Sequence, residues 1–188
     1  KRIKRSLIAR FRLPDARIVV LPIFVDRDKI VQASSSFDLR KKYPEFDFIV
    51  LMVSRLNLDK RIDVTLDVFV EFHKNYPKAG LVIVGDGPEE QNLKLKTCNL
   101  KLADNVRYEG WQRDLIPYYK GADLYLLTSA FEGYGRTVIE AAAAGIPVIM
   151  TDVGVAGEVI RDGETGRVVP VGDKIALAAA LIEARRNY

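Results

Sequence analysis

The 188-residue sequence predicts an α/β fold built on a doubly wound, mostly parallel sheet of the Rossmann-like kind. Short runs rich in β-branched and other apolar residues alternate with longer stretches of helical periodicity, which is typical of this fold class. Most of the short runs are continuously apolar, as expected of strands that helices cover on both faces. The length suits one domain with a substantial core.

The predicted strands lie at residues 18–21, 48–53, 81–84, 106–108, 124–127, 147–150 and 167–169. Helical patterns lie between them. One helix is predicted by an apolar stripe at helical spacing, which consists of Val64, Val68, Phe69 and Phe72. The alanine-rich segments 138–144 and 176–184 also favour helix, whereas the leucines between 93 and 102 are less regular.

The charge of the chain is uneven. The formal net charge is +4, and residues 1–12 contain six basic residues and no acidic one. Ile3, Leu7, Ile8 and Phe11 fall on one face, so we predict a basic amphipathic helix over 1–12. This helix either packs on the body of the domain or makes a peripheral contact with an anionic membrane surface.

Several classes of protein are disfavoured by composition. Cys98 is the only cysteine, which excludes an internal disulfide, and together with the single His73 it argues against a zinc site. No apolar run approaches the length of a membrane span, and no secretory signal stands at the start. We therefore expect a cytoplasmic location, with or without contact at the inner membrane surface. Beyond residue 12 the basic residues are scattered, so nucleic acid is not an expected partner.

Two cations follow the second predicted strand. In open parallel sheets, ligands bind at the carboxyl ends of strands. Arg55 comes two residues after the end of 48–53, and Lys60 follows five residues later. An arginine fork and a lysine point charge suit a diphosphate. The alternative is a pair of exposed loop cations that interact with Asp59 or Asp63.

A turn follows the third predicted strand. Gly85-Asp86-Gly87-Pro88 permits a tight bend and close approach of a ligand. The G-x-G-x-x-G spacing of a dinucleotide site is absent. A purely structural turn is the alternative.

The segment after 124–127 is the most informative. It places Glu132 in a glycine-rich loop and Glu140 eight residues later, in a helix predicted to begin near Arg136. The backbone amides of the loop and of the helix start form an anion site. A ligand that presents a sugar hydroxyl, a diphosphate and a ribose hydroxyl in that order would match this arrangement. A capping glutamate and an exposed helix glutamate are the alternative.

These motifs resemble those of the retaining glycosyltransferases of family 4, which have the GT-B fold. The E-x7-E signature is Glu132-Gly133-Tyr134-Gly135 followed by Glu140-Ala141 and, further on, Gly145-Ile146-Pro147-Val148. The R-x4-K pair, the G-D-G-P turn and an E-x-I-x-D-G-x-T-G pattern from Glu158 to Gly166 occur in the same order as in the family. The resemblance covers nearly the whole chain.

The resemblance implies a role for each site residue. Arg55 and Lys60 would bind the donor diphosphate and stabilise the charge that develops on it, and Glu132 would contact the transferred sugar. Glu140 would bind the ribose hydroxyls. The remaining donor-binding positions would be Gly85, Gly133, Tyr134, Gly135, Arg136 and Thr137.

The implied activity is transfer of a sugar from a nucleotide-sugar to a glycan or lipid acceptor with retained configuration, without a metal or other cofactor. Residues 1–188 would form one donor-binding domain. The acceptor-binding domain, its partner in the GT-B fold, is absent from this chain, so we expect the isolated domain to be inactive or nearly so. The alternatives are a nucleotide-sugar epimerase of the same fold and a non-catalytic basic binding module.

The chain departs from the family pattern at two places. The usual P-N-G-V-D is Pro22-Ile23-Phe24-Val25-Asp26, and Arg61 replaces the glycine that commonly follows the lysine. Asp26-Arg27-Asp28 has the D-x-D form that binds metal in other glycosyltransferases, but such triplets are common by chance. Trp111 lies near the end of a strand, where it packs or contacts a base.

Overall fold

A computed structural model describes the backbone of residues 2–187 and the side chains of residues 4–187. Six parallel strands form one sheet in the order β3-β2-β1-β4-β5-β6. This order confirms the predicted doubly wound, Rossmann-like sheet. The strands are β1 Phe48–Val53, β2 Ala79–Val84, β3 Val106–Tyr108, β4 Leu124–Leu127, β5 Val148–Thr151 and β6 Arg167–Val169.

Helices cover both faces of the sheet. They are α1 Arg2–Phe11, α2 Arg27–Gln32, α3 Leu39–Lys42, α4 Ile62–Asn75, α5 Glu90–Asn99, α6 Ile116–Gly121, α7 Arg136–Ala143 and α8 Lys174–Arg186. Helices α4, α5 and α8 contribute to one core, and α3, α6 and α7 contribute to the other. Alternate residues of β1 enter opposite cores, which explains why its sequence is apolar throughout.

The sequence-predicted strand at 18–21 is wrong. Among the described residues this segment has no neighbouring strand, and it runs as extended chain before α2. Val19 is 77% exposed and Leu21 is 83% exposed. A β-branched run becomes a strand only when another strand supplies the hydrogen-bonding ladder. Two other strands have shifted boundaries. The strand predicted at 81–84 begins at Ala79, and the strand predicted at 147–150 runs from Val148 to Thr151.

The predicted amino-terminal helix forms as α1. Leu7 and Ile8 are half-buried, whereas Phe11 is exposed, and Lys4 pairs with Asp15 at 3.0 Å. The side chain of Ile3 lies outside the described residues. The helix therefore packs partly against the domain, and its contact with a membrane stays a prediction.

A buried carboxylate ties α3 to α6. Glu109 follows β3 and accepts hydrogen bonds from Lys42, Tyr43 and Tyr118. Burial by itself would raise the pKa of Glu109, but the hydrogen bonds from these three donors outweigh burial and hold the pKa below its usual value of 4.5. The cluster stabilises the helices on the second face of the sheet.

Candidate functional site

The candidate site lies where the strand order reverses. Strands β1 and β4 are neighbours at the centre of the sheet, and their carboxyl ends open the crevice in which ligands of such folds bind. The loops that follow them touch directly, since the Ala130 amide donates to the Asp59 carbonyl at 2.8 Å. The sheet topology therefore brings the lysine loop and the glycine-rich loop together.

Lys60 and Glu132 form an ion pair across these two loops. The Lys60 Nζ lies 2.7 Å from the Glu132 Oε1, and the side chains are only 12% and 15% exposed. The Ser129 hydroxyl donates to the same carboxylate oxygen at 2.9 Å. Asp59 also lies 3.2 Å from the Lys60 Nζ, so Lys60 contacts both carboxylates. A partly buried cation beside a carboxylate can bind a phosphate while the carboxylate accepts hydrogen bonds from hydroxyl groups.

A buried hydroxyl pair holds the lysine loop. The Thr128 Oγ1 at the end of β4 lies 3.0 Å from the Lys60 carbonyl and 3.1 Å from the Arg61 carbonyl, and 2.9 Å from the Thr65 Oγ1. Arg61 itself has a φ of +51°, in the left-handed region that glycine adopts without strain. The backbone shape therefore gives a physical reason for a glycine at this position, where this chain has arginine.

The glycine-rich loop ends at an uncapped helix. Gly135, with a φ of +92°, is the N-cap residue of α7 and offers no side chain to its amides. One turn on, Glu140 is 14% exposed and accepts hydrogen bonds on both oxygens. The donors are the Arg136 Nε at 2.8 Å and the Tyr119 hydroxyl at 3.0 Å. The amino end of α7, which no side chain caps, thus lies between the two glutamates in the chain.

Consecutive parts of this segment line two cavities. Residues 131–134 line the first, of about 710 Å³, together with residues 152–154 and part of the amino-terminal segment. Arg136, Thr137 and Glu140 line the second, of about 770 Å³, with Tyr119. The cavity sizes are those of small-molecule sites. Glu132 therefore faces one cavity and Glu140 the other, with the start of α7 between them.

A close backbone contact shapes the first cavity. A Cβ on Gly154 would lie 2.5 Å from the Tyr134 carbonyl oxygen and 3.0 Å from the Glu132 Cβ. Only glycine allows the loop after β5 to pack against the glycine-rich loop in this way. Gly154 thereby helps to set the position of Glu132.

Two of the predicted site residues lie apart from this cluster. Arg55 is exposed beyond the end of β1 and lines neither of the two cavities. Gly85 has a φ of +130°, and a Cβ there would lie 1.9 Å from the Ser54 carbonyl oxygen. Packing between the two loops accounts for this glycine without a ligand. The donor-binding roles of Arg55 and Gly85 stay predictions.

The remaining predictions concern the D-x-D triplet, Trp111 and a membrane span. Asp26 caps α2 by accepting a hydrogen bond from the Lys29 amide at 3.1 Å. Within the described part of the chain, no group of histidine, cysteine, aspartate and glutamate is placed to hold a metal ion. Trp111 is 67% exposed, so it does not pack into the core at the end of the strand, and its contact with a base stays a prediction. No described helix is long and apolar enough to span a bilayer.

Sequence reasoning missed three residues of the site. Tyr119, Thr128 and Ser129 each place a buried hydroxyl against a predicted functional group or its loop. Thr128 and Ser129 directly follow a predicted strand, which was a usable signal. Tyr119 carries no such signal, because its hydroxyl reaches Glu140 only through the tertiary fold.

The family described as "Glycosyl transferases group 1" matches residues 36–188. N-acetyl-alpha-D-glucosaminyl L-malate synthase from Bacillus anthracis is 31% identical over 176 residues, 93% of this chain and 46% of that protein. Phosphatidyl-myo-inositol mannosyltransferase from Mycobacterium leprae is 34% identical over 84% of this chain and 42% of its own length. The chain thus spans less than half the length of these curated relatives.

Solved structures share the fold. A glycosyltransferase from Rickettsia africae superposes with a TM-score of 0.86 over 98% of this chain and 51% of its own, at 25% identity. The Anabaena protein Alr3699/HepE, solved in complex with UDP-glucose, gives a TM-score of 0.73 over 79% of this chain and 42% of its own, at 26% identity.

Proposed function

Because the chain belongs to the group 1 glycosyl transferases, which confirms the resemblance to the retaining family 4 enzymes, we propose that it binds the nucleotide-sugar donor of such an enzyme. The proposed donor spans both cavities. Its sugar occupies the cavity at Glu132, its diphosphate meets the start of α7 and Lys60, and its nucleoside occupies the cavity at Glu140.

The observation that carries this proposal is the separation of the two glutamates by a free helix start. Carboxylates accept hydrogen bonds from sugar and ribose hydroxyls, whereas the amides of α7 attract phosphate oxygens. Glu132, the amides at the start of α7 and Glu140 would therefore offer acceptor, donor and acceptor groups in that order. A nucleoside diphosphate sugar has the complementary order of groups.

The proposed reaction is transfer of the sugar with retention of configuration. Negative charge grows on the diphosphate as the bond to the sugar breaks, so cations and helix amides beside it lower the barrier. Lys60 is already held at the site by Thr128 and Glu132, whereas Arg55 would have to swing in from solvent. Lys60 would thus supply the fixed positive charge and Arg55 a mobile one. Gly133 and Thr137 would place backbone groups around the ligand.

The acceptor would bind to a part of the protein outside this chain. The chain covers 46% of the Bacillus anthracis relative and 42% of the Mycobacterium leprae relative, so a second domain is proposed to complete the cleft. A glycan or a lipid would serve as the acceptor. If the acceptor is a lipid, α1 would approach the inner membrane surface. The isolated chain is proposed to bind donor but to transfer little sugar.

Calorimetric titration tests the proposal. The chain is titrated with UDP, GDP and ADP and with their glucose conjugates, after circular dichroism has shown that it is folded. We expect one of the three nucleoside diphosphates and its glucose conjugate each to bind with a one-to-one stoichiometry. A folded chain that binds none of the six would overturn the donor-site assignment.

A further inference from the structure

Each glutamate of the site contacts a buried hydroxyl on a different element. The Tyr119 hydroxyl donates to the Glu140 Oε2 at 3.0 Å, and the Ser129 hydroxyl donates to the Glu132 Oε1 at 2.9 Å. Both hydroxyl-bearing residues are 1% exposed. Neither carries a role in the proposed chemistry. On this basis we propose that Tyr119 and Ser129 are positioning residues, which orient the two carboxylates for the donor; the inference rests on the proposed function.

Tyr119 is suited to hold Glu140 in one orientation. Its ring packs between α6 and the sheet, 6.2 Å from the ring of Tyr125. Burial raises the pKa of Tyr119 far above its usual value, and the neighbouring Tyr125 and Glu140 raise it further. The phenol therefore stays protonated and donates its hydrogen to the carboxylate throughout the working pH range.

The other contact of Glu140 differs in kind. The Arg136 side chain, which donates to the Oε1, is 69% exposed. A solvated ion pair contributes little and exchanges easily for another partner. A ribose hydroxyl can thus replace Arg136 at the Oε1 while Tyr119 keeps the Oε2 in place.

Ser129 holds Glu132 in the corresponding way. Its carbonyl accepts a hydrogen bond from the Thr151 hydroxyl at 2.7 Å, which ties this residue to the end of β5. The serine and Lys60 both donate to the Oε1 of Glu132. Among the residues that the structure describes, none donates to the Oε2, which therefore remains available to a sugar hydroxyl.

Tyr119→Phe tests the first assignment, with Tyr118→Phe as the matched control. Both tyrosines are buried on α6 and donate to a carboxylate, but the partner of Tyr118 is Glu109, away from the site. The probes are the nucleoside diphosphate of the UDP, GDP and ADP panel that the unmodified chain binds, and its glucose conjugate. We expect Tyr119→Phe to weaken both about two- to tenfold, the cost of ordering one freed side chain when the ligand binds. Tyr118→Phe should leave both affinities unchanged.

A double variant separates positioning from direct contact with the ligand. In the Glu140→Ala background, adding Tyr119→Phe should weaken nucleotide binding no further, because the phenol acts only through the carboxylate. A further loss there would overturn the positioning role. Equal affinities for Tyr119→Phe and Tyr118→Phe would also overturn it.

Ser129→Ala should give a different signature. We expect it to weaken the glucose conjugate about three- to tenfold relative to the bare diphosphate, and to have no such effect in the Glu132→Ala background. Equal weakening of both ligands would overturn the assignment. If the unmodified folded chain binds none of the panel, the proposed function fails and this inference with it. If the unmodified chain binds and the variants behave like their controls, only the inference fails.

Discussion

Replacing Glu132 with glutamine tests whether its ion pair with Lys60 stabilises the domain before any ligand binds. Glutamine keeps an acceptor oxygen for Lys60 and Ser129 and removes only the negative charge. Because the two charged side chains are 12% and 15% exposed, solvent screens their interaction only partly. Asp59 remains 3.2 Å from the Lys60 Nζ, so the lysine is not left without a carboxylate.

The magnitude follows from these contacts. A hydrogen bond to a charged group contributes about 1.5–3 kcal/mol, and a neutral one contributes about 0.5–1.5 kcal/mol. Lys60 stays charged in the variant, so the loss comprises the attraction within the ion pair and the weakening of the Ser129 hydrogen bond. We expect the free energy of unfolding to fall by about 1–2 kcal/mol. For a chain of this length that change lowers the Tm by about 2–8 °C.

Thermal and urea denaturation measure the effect, with Glu164→Gln as the control. Glu164 pairs with Arg161 at 3.2 Å, but both side chains are more than half exposed. Exposed pairs contribute about 0–1 kcal/mol, so this control should change stability little. Equal unfolding midpoints for Glu132→Gln and Glu164→Gln would refute the claim that the site pair is a stabilising contact.

Two further predictions concern pH and loop packing. The pKa of Glu109 is lowered in the folded state. The ionised Glu109 side chain therefore contributes its full stabilisation above the usual carboxyl pKa, and this stabilisation is lost as the pH falls through the lowered pKa. Glu109→Gln should thus reduce the fall in the urea midpoint between about pH 5 and about pH 3. Gly154→Ala should weaken nucleotide-sugar binding, because its Cβ would meet the Tyr134 carbonyl at 2.5 Å. Gly163→Ala is the control, because Gly163 also has a positive φ, of +73°, but a Cβ added there would have no atom within 4 Å. Equal ligand affinities for the two variants would contradict the prediction.

The sheet was predictable because its strands are buried on both faces. The run at 48–53 must be apolar at every position to fill two cores, and that pattern survives in the sequence. The run at 18–21 shows the limit of the same reasoning. It has strand-like residues, but a strand requires a partner, and none lies beside it among the described residues.

The geometry of the candidate site was predictable where its residues lie in loops after strands. Lys60 and Glu132 lie in the loops after β1 and β4, so the topology brings them together. The contacts of the two glutamates with Tyr119 and Ser129 depend on side-chain packing in the folded chain. Periodicity and spacing carry no information on such contacts.

The separate roles of the two glutamates are the centre of this account, and one titration series tests them most directly. Glu140→Ala and Glu132→Ala are each titrated with the nucleoside diphosphate that the unmodified chain binds and with its glucose conjugate. Glu140→Ala should weaken both ligands alike, because both carry the ribose. Glu132→Ala should weaken only the glucose conjugate and leave the bare diphosphate bound at least as tightly, since Lys60 then keeps only one carboxylate partner, Asp59. The reverse pattern, or the same loss for both ligands in both variants, would contradict the assignment.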